Sequence, residues 1–186
     1  MRDLMLWLDG QQLSIALRES FLVWSALEAS HIMTLMLFVG TIVMVDLRIL
    51  GVLFTGTPVS AIEKRVLPMT MIGFAVLIIT GVLLFYAKPL TYYNNMYFRL
   101  KLIVIGLAMI NIMVFHFRVQ RNQDAWDNAA KPPASARVIA GLSLSSWLLV
   151  VIFGRLIAYG DWFHCATFEE GDLLYMFSDC PQLGGH

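Results

Sequence analysis

The sequence predicts an all-α integral membrane protein, a bundle of four transmembrane helices. Its composition and the lengths of its apolar runs carry this prediction. Hydrophobic residues make up 59% of the 186 residues and charged residues only 14%, against roughly 25% charged residues in typical soluble proteins. A soluble fold this apolar would leave much of that surface in water. The formal net charge is zero, and no basic stripe indicates nucleic-acid binding.

Four apolar runs, each of about 20 residues or more, are long enough to cross ~30 Å of hydrocarbon as helices. They cover residues 21–45, 66–86, 98–117 and 138–159. A backbone in lipid must satisfy its own hydrogen bonds, which favours helices for runs of this length. The runs define a transmembrane domain over residues 21–160, between an N-terminal segment, 1–20, and a C-terminal tail, 161–186.

The N-terminal segment has the pattern of a short interfacial helix, with Gly10 as a break. Five apolar residues would line one side of it, namely Leu4, Trp7, Leu8, Leu13 and Leu17. A loosely ordered tail is the alternative. Asp3 and Asp9 interrupt the segment, and no apolar stretch follows a basic start, so we do not expect a cleaved signal peptide.

Basic residues flank the first and third loops more heavily than the second loop and the tail. They are Arg48, Lys64 and Arg65 around the first loop, and Arg118, Arg121, Lys131 and Arg137 around the third. After Arg155, near the end of the fourth run, the sequence contains no further Lys or Arg, so the tail has none. Because Lys and Arg favour the cytoplasmic side, these two loops are predicted there. Both termini are then periplasmic, in a bacterial inner membrane.

The two cysteines, Cys165 and Cys180, both lie in the C-terminal tail. We predict that they form a disulfide, which would persist only in an oxidising compartment. A periplasmic tail agrees with the charge bias of the loops. Two unrelated thiols are the alternative.

A few ionisable residues lie within the apolar runs, where burial makes them functional candidates. They are Glu28 and His31 in the first run, Lys101 and His116 in the third, and Arg155 in the fourth. At 1.5 Å per residue, His31 lies roughly 15 Å deep, Lys101 about 5 Å and His116 roughly 27 Å. Because a lysine side chain is long, His31 and Lys101 can share one site. His116 is about 12 Å deeper than His31.

Structural roles compete with these functional ones. A lone histidine in a membrane helix is often hydrogen-bonded to a neighbouring helix, and Lys101 could extend to the lipid headgroups. Glu28 could relay protons, pair with Lys101 or Arg155, or lie at the interface. His116 lies near an interface beside Arg118, which favours a solvated role.

Three stretches, taken in order, resemble a known family. They are WSALEASH at 24–31, IEKRVLP at 62–68, and RLKL at 99–102 followed by FHF at 115–117. Their order and spacing are similar to those of the HemJ-type protoporphyrinogen oxidases and related bacterial four-helix membrane proteins. The resemblance covers residues 24–121, a little over half of the chain.

The resemblance implies a b-type haem within the bundle, with His31 and Lys101 as the favoured axial ligands. It also implies that His116 corresponds to the family's second histidine. That family oxidises protoporphyrinogen IX and passes electrons onward to quinone. This chain differs from it in its N-terminal extension, its acidic cysteine-containing tail and Glu28.

We therefore expect a membrane haem-b redox protein that transfers electrons. Arg155, Arg99 and Lys88 would lie beside the haem propionates, and Glu28 would lie near the ligand. Its expected surroundings are the lipid bilayer, a quinone or porphyrin, a periplasmic redox partner and further copies of the chain. A HemJ-type oxidase is the first alternative. A cofactor-free structural or transport-associated subunit, in which His31 and Lys101 only join helices, is the second.

Overall fold

Four long helices coincide with the four apolar runs in the computed structural model, which describes residues 2–158. They are α3 (Phe21–Ile49), α4 (Val59–Ala87), α6 (Met96–Val114) and α7 (Ala134–Ile157). A π-helical turn (Phe115–Val119) and a 3-10 turn (Gln120–Ala125) continue α6. Each of the four is long and apolar enough to cross a membrane. Within residues 2–158 there is no strand, so the prediction of an all-α bundle is confirmed.

Apolar side chains cover the outside of the bundle, and several polar side chains lie inside it. Large hydrophobic side chains on the long helices are widely exposed, among them Phe21 at 80% and Met33 at 71%. Several polar side chains are buried instead, among them Thr41, Asp46, Arg48, Thr80 and Ser143. A surface of this kind is stable in lipid, where apolar exposure costs nothing and polar groups must pair internally.

An aromatic cluster forms the middle of the core, where α3 packs against α4 and α7. The ring of Phe38 stacks on Phe74 at 5.5 Å and meets Trp147 edge-on at 4.8 Å. Gly73 permits this approach, because a Cβ at that position would lie 3.3 Å from the Cβ of Phe38. We call Phe38, Phe74 and Trp147 the aromatic layer.

One end of the bundle is held by Arg48, whose side chain is fully buried. Its Nε donates to the carbonyl of Thr57 at 2.6 Å, and one Nη donates to the carbonyl of Ala129 at 3.1 Å. The first loop is thereby tied to the loop that precedes α7. We call this the Arg48 end.

The N-terminus of α4 is capped from the same distant loop. Pro58 stands at the capping position and makes no side-chain cap. The carboxylate of Asp127 accepts hydrogen bonds from the backbone N–H of Ser60 at 2.7 Å and from its hydroxyl at 2.6 Å. A carboxylate at a helix N-terminus satisfies free N–H groups and complements the helix dipole.

The opposite end, which we call the tyrosine end, is covered by three short helices. They are α1 (Arg2–Asp9), α2 (Gln12–Glu19) and α5 (Pro89–Tyr93). Arg18 pairs with Asp9 at 2.7 Å, and the buried Ser14 hydroxyl donates to the carbonyl of Ala87 at 3.3 Å. The N-terminal segment is therefore helical, with Gly10 in the break as predicted, and α5 was not predicted. The interfacial position and the periplasmic orientation stay predictions.

The helices extend further at the Arg48 end than the apolar runs predict. α3 continues from residue 45 to Ile49, and α4 begins at Val59 rather than at residue 66. Charged residues lower a hydropathy sum and therefore indicate a loop. At this end of the bundle, however, charged side chains form hydrogen bonds inside the protein. Glu63, for example, accepts a hydrogen bond from Gln123 at 2.8 Å. The predicted Cys165–Cys180 disulfide lies outside the described residues.

We expect Asp127→Ala to destabilise the protein by about 1 kcal/mol, because it removes the cap of α4. Asp124→Ala is the matched control, since Asp124 is an exposed carboxylate in the 3-10 turn nearby. Thermal loss of helical circular dichroism in detergent measures both. Equal midpoints for the two variants would contradict the capping role.

The cap should also make stability depend on pH. Burial would raise the pKa of Asp127, but the hydrogen bonds from Ser60 and the charge of Arg48 outweigh it, so the pKa is lowered below 3.8. A lowered pKa stabilises the folded state above the unfolded value and loses that contribution as pH falls through the folded pKa. The melting midpoints of the wild type and Asp127→Asn should therefore differ at neutral pH and converge below pH 3.8. A gap unchanged down to strongly acidic pH would contradict this account.

Candidate functional site

His31 in α3 is oriented by Thr80 in α4. The distance from Nδ1 of His31 to Oγ1 of Thr80 is 2.8 Å. The Thr80 hydroxyl directs its single proton to carbonyls of its own helix, at 2.8 Å from Val76 and 3.3 Å from Leu77. We therefore assign the bond between the two side chains to an Nδ1–H of His31 that donates to Thr80. Since a neutral imidazole carries one proton, Nε2 keeps its lone pair.

Lys101 in α6 lies close to this histidine. The two side chains are near enough to interact electrostatically, and the Nζ of Lys101 lies beside Gly154 of α7, where a Cβ would be 3.3 Å away. Gly81 has the same relation to His31, since a Cβ there would lie 3.4 Å from Cε1. We call His31, Thr80, Gly81, Lys101 and Gly154 the His31 cluster. All four long helices contribute to it.

Glu28 lies one helical turn before His31, on the exposed surface of α3. Its carboxylate is close to the phenol of Tyr92 in α5. Burial first, and then the charge of Glu28, raise the pKa of Tyr92. The Tyr92 ring packs against Phe85 and Phe98, at centroid distances of 6.4 and 5.3 Å. Glu28 therefore belongs to the tyrosine end rather than to the buried cluster.

The cations predicted to pair with propionates also lie toward the tyrosine end, and they have partners within the protein. Arg99 donates from Nε to the carbonyl of Tyr93 at 3.1 Å, with its guanidinium 5.0 Å from that ring. Lys88 lies 3.9 Å from the ring centre of Trp24. Arg155 is exposed near the end of α7 and also has a partner.

His116 lies apart from the His31 cluster. It is exposed in the π-helical turn, and its Nδ1 is hydrogen-bonded to the side chain of Gln120. Fifteen residues separate it from Lys101 in one continuous helical segment, roughly 22 Å along the axis. His31 and His116 are therefore too far apart to hold one metal ion.

The donor set limits what the His31 cluster can bind. Among residues 2–158, no group of three or more His, Cys, Asp or Glu side chains could hold a metal ion. The cluster offers one imidazole nitrogen and one amine. Two nitrogens are too few for a bare metal, which takes four or more ligands. They do fit a metal that brings a macrocycle of its own, as haem iron does.

Sequence reasoning missed three members of the cluster, Thr80, Gly81 and Gly154. A threonine and a glycine are common in membrane helices, so neither stands out without knowledge of the pairing. The one available signal was the position of Thr80 near the end of its apolar run, at a depth similar to that of His31.

The chain matches the model of a protein family. A family model covers residues 20–160, and it is described as a family of unknown function, DUF6644. No curated protein and no solved structure matches the chain. The match spans the four long helices and the whole His31 cluster. Because it covers well over half of the chain, the chain belongs to this family.

We expect Thr80→Val to destabilise the protein by roughly 1 kcal/mol, because the buried Nδ1–H of His31 loses its acceptor. Thr34→Val is the matched control, since the Thr34 hydroxyl bonds only to a carbonyl of its own helix, that of Ser30. Thermal unfolding in detergent compares the two. If both variants melt at the same temperature, the His31–Thr80 bond does not stabilise the bundle.

Proposed function

We propose that this member of DUF6644 is a membrane b-type haem redox protein, with Nε2 of His31 and the amine of Lys101 as axial ligands. One observation carries the proposal. Nδ1 of His31 lies 2.8 Å from the hydroxyl of Thr80, and with the proton assigned to Nδ1 the lone pair of Nε2 is available to a metal. When bound, haem b supplies one-electron chemistry at its iron.

Thr80 would act as a positioning residue for such a ligand. A metal-binding histidine usually donates its second ring N–H to a neighbouring acceptor, which fixes the tautomer and the ring plane. The Thr80 hydroxyl has this relation to His31 already, at 2.8 Å. Gly81 keeps the space beside Cε1 of the ring open.

The direction of the Lys101 side chain supports the proposal. A lysine near a membrane surface commonly extends to the headgroups, but the Nζ of Lys101 lies beside Gly154 of a neighbouring helix. The amine is therefore held between α6 and α7, inside the bundle. Gly154 leaves room on the side of α7.

The charges of the tyrosine end fit the outer edge of such a site. Arg99 is half-buried and Arg155 is exposed at this end, and both could pair with carboxylates of the haem. Glu28 and Tyr92 lie nearby and could exchange protons with the solution. On the charge bias of the loops, we propose that this end faces the periplasm of a bacterial inner membrane. A quinone, a porphyrin or a periplasmic redox protein could then exchange electrons with it.

Two alternatives each rest on a specific observation. The sequence resemblance favours a HemJ-type oxidation of protoporphyrinogen IX. The hydrogen bond between His31 and Thr80 favours a cofactor-free subunit, because it satisfies one ring nitrogen and joins α3 to α4 directly.

The proposal predicts a b-type α-band in the dithionite-reduced-minus-oxidised spectrum of the purified protein, made in cells supplied with haem. His31→Ala should abolish the band, because the axial imidazole is lost. His116→Ala is the matched control and should keep it, since His116 lies outside the cluster. Lys101→Met should keep bound haem but change its ligation and spectrum.

Each other result has a definite meaning. If the wild-type protein from haem-supplied cells shows no α-band, the haem proposal is overturned and the hypothesis of a cofactor-free subunit is left. A band lost in His116→Ala and kept in His31→Ala would place the haem elsewhere. If the band is present, aerobic conversion of protoporphyrinogen to protoporphyrin, measured by fluorescence, separates the oxidase from an electron-transfer protein.

A further inference from the structure

Asp46 is a buried carboxyl group within α3, three residues before the helix ends. Its side chain is only 6% exposed. The hydroxyl of Ser143 in α7 is hydrogen-bonded to it. Its second oxygen, Oδ2, has no hydrogen-bond partner among the described residues. The group does not belong to the His31 cluster, because fifteen residues of α3, roughly 22 Å along the helix axis, separate Asp46 from His31.

The helix that covers Asp46 provides little to stabilise a negative charge. On either side of Ser143, α7 presents Ala140 and Trp147, which are 2% and 3% exposed. The indole Nε1 of Trp147 is itself buried without a partner among residues 2–158. The α7 face thus contributes one hydroxyl, one unpartnered N–H and no cation.

No charged group of the neighbouring elements pairs with Asp46 among the described residues. On α3 itself, Arg48 directs Nε and one Nη to the carbonyls of the two loops, and its other Nη is buried without a hydrogen-bond partner. On α4, Glu63 is bonded to Gln123 of the 3-10 turn. On α7, Arg137 is exposed. An ionised Asp46 would therefore be a buried charge without a counter-ion in contact with it.

Such a charge is more costly to bury than a single hydroxyl can offset, and carboxyl groups in this position take up a proton instead. Ionisable groups of this kind within membrane spans commonly serve in proton transfer. Asp46 lies about 5 Å along the helix axis from the end of α3, so water at the Arg48 end is the nearest source and acceptor of protons.

We propose that Asp46 is a proton-binding site within the membrane domain, protonated at neutral pH and exchanging its proton with the Arg48 end when α3 and α7 separate. Deprotonation breaks the carboxyl O–H bond and passes the proton to water, leaving a carboxylate that favours the separated helices. The inference rests on burial and contacts at this end and does not require a haem.

Infrared spectroscopy of the detergent-purified protein tests this directly. The wild type should absorb in the carbonyl-stretch region of a protonated carboxyl at neutral pH, and Asp46→Asn should lose that absorption. Asp124→Asn is the matched control and should lose none of it, because Asp124 is exposed to solvent. Identical spectra for the wild type and Asp46→Asn would overturn the proposal.

Two further measurements keep the test decisive if Asp46→Asn fails to fold. Glu63→Gln, which alters another half-buried acid at the same end, should keep the absorption; its complete loss there would assign the proton to Glu63 and overturn the proposal. Transfer of the wild type to heavy water should shift the band slowly, since helix separation limits exchange. If the band shifts completely on mixing, water has free access to the carboxyl group, and the proposal of a shielded site is overturned.

Discussion

The bundle depends on one fully buried guanidinium, that of Arg48, which holds two loops against the end of α3. Hydrogen bonds from a charged donor contribute roughly 1.5–3 kcal/mol each. The loops they fix are distant in sequence, since Thr57 and Ala129 both accept from this one side chain. Asp127 lies in the second of these loops, so the cap of α4 depends on the same anchor. The end of α3, the loop before α4 and the loop before α7 therefore meet at this one side chain.

Away from that end, hydrogen bonds between polar groups of neighbouring helices hold the bundle together. Soluble bundles are held together instead by the burial of apolar side chains. Lipid is as apolar as a leucine side chain, so burial alone does not draw membrane helices together. Thr70 donates to Thr41 at 2.8 Å, which joins α4 to α3. Asn111 donates to the carbonyl of Ile139 at 3.1 Å, which joins α6 to α7. The bond between His31 and Thr80 follows the same principle and gives the imidazole its fixed tautomer.

The sequence predicts the local features of this structure well and the pairings between distant segments poorly. The four spans follow from run length, the break at Gly10 from its residue type, and the proximity of His31 and Lys101 from the rise of a helix. The partners of these groups do not follow. Nothing near Pro58 indicates that Asp127 caps the helix. Arg48 and Asp46 resemble the charges of a loop, because a hydropathy sum cannot register partners about eighty to a hundred residues away. Thr80 was missed for the same reason.

The aromatic layer has a consequence for how the two ends of the interior communicate. Phe38 lies seven residues after His31 and eight before Asp46, and with Phe74 and Trp147 it fills the section between them. Apart from the indole N–H of Trp147, these rings carry no exchangeable hydrogens, so they give a proton no chain of hydrogen bonds from one end to the other. His31 and Asp46 nevertheless lie on the same helix, on either side of the layer. A shift of α3 is therefore the way in which a change at one group can reach the other through the interior.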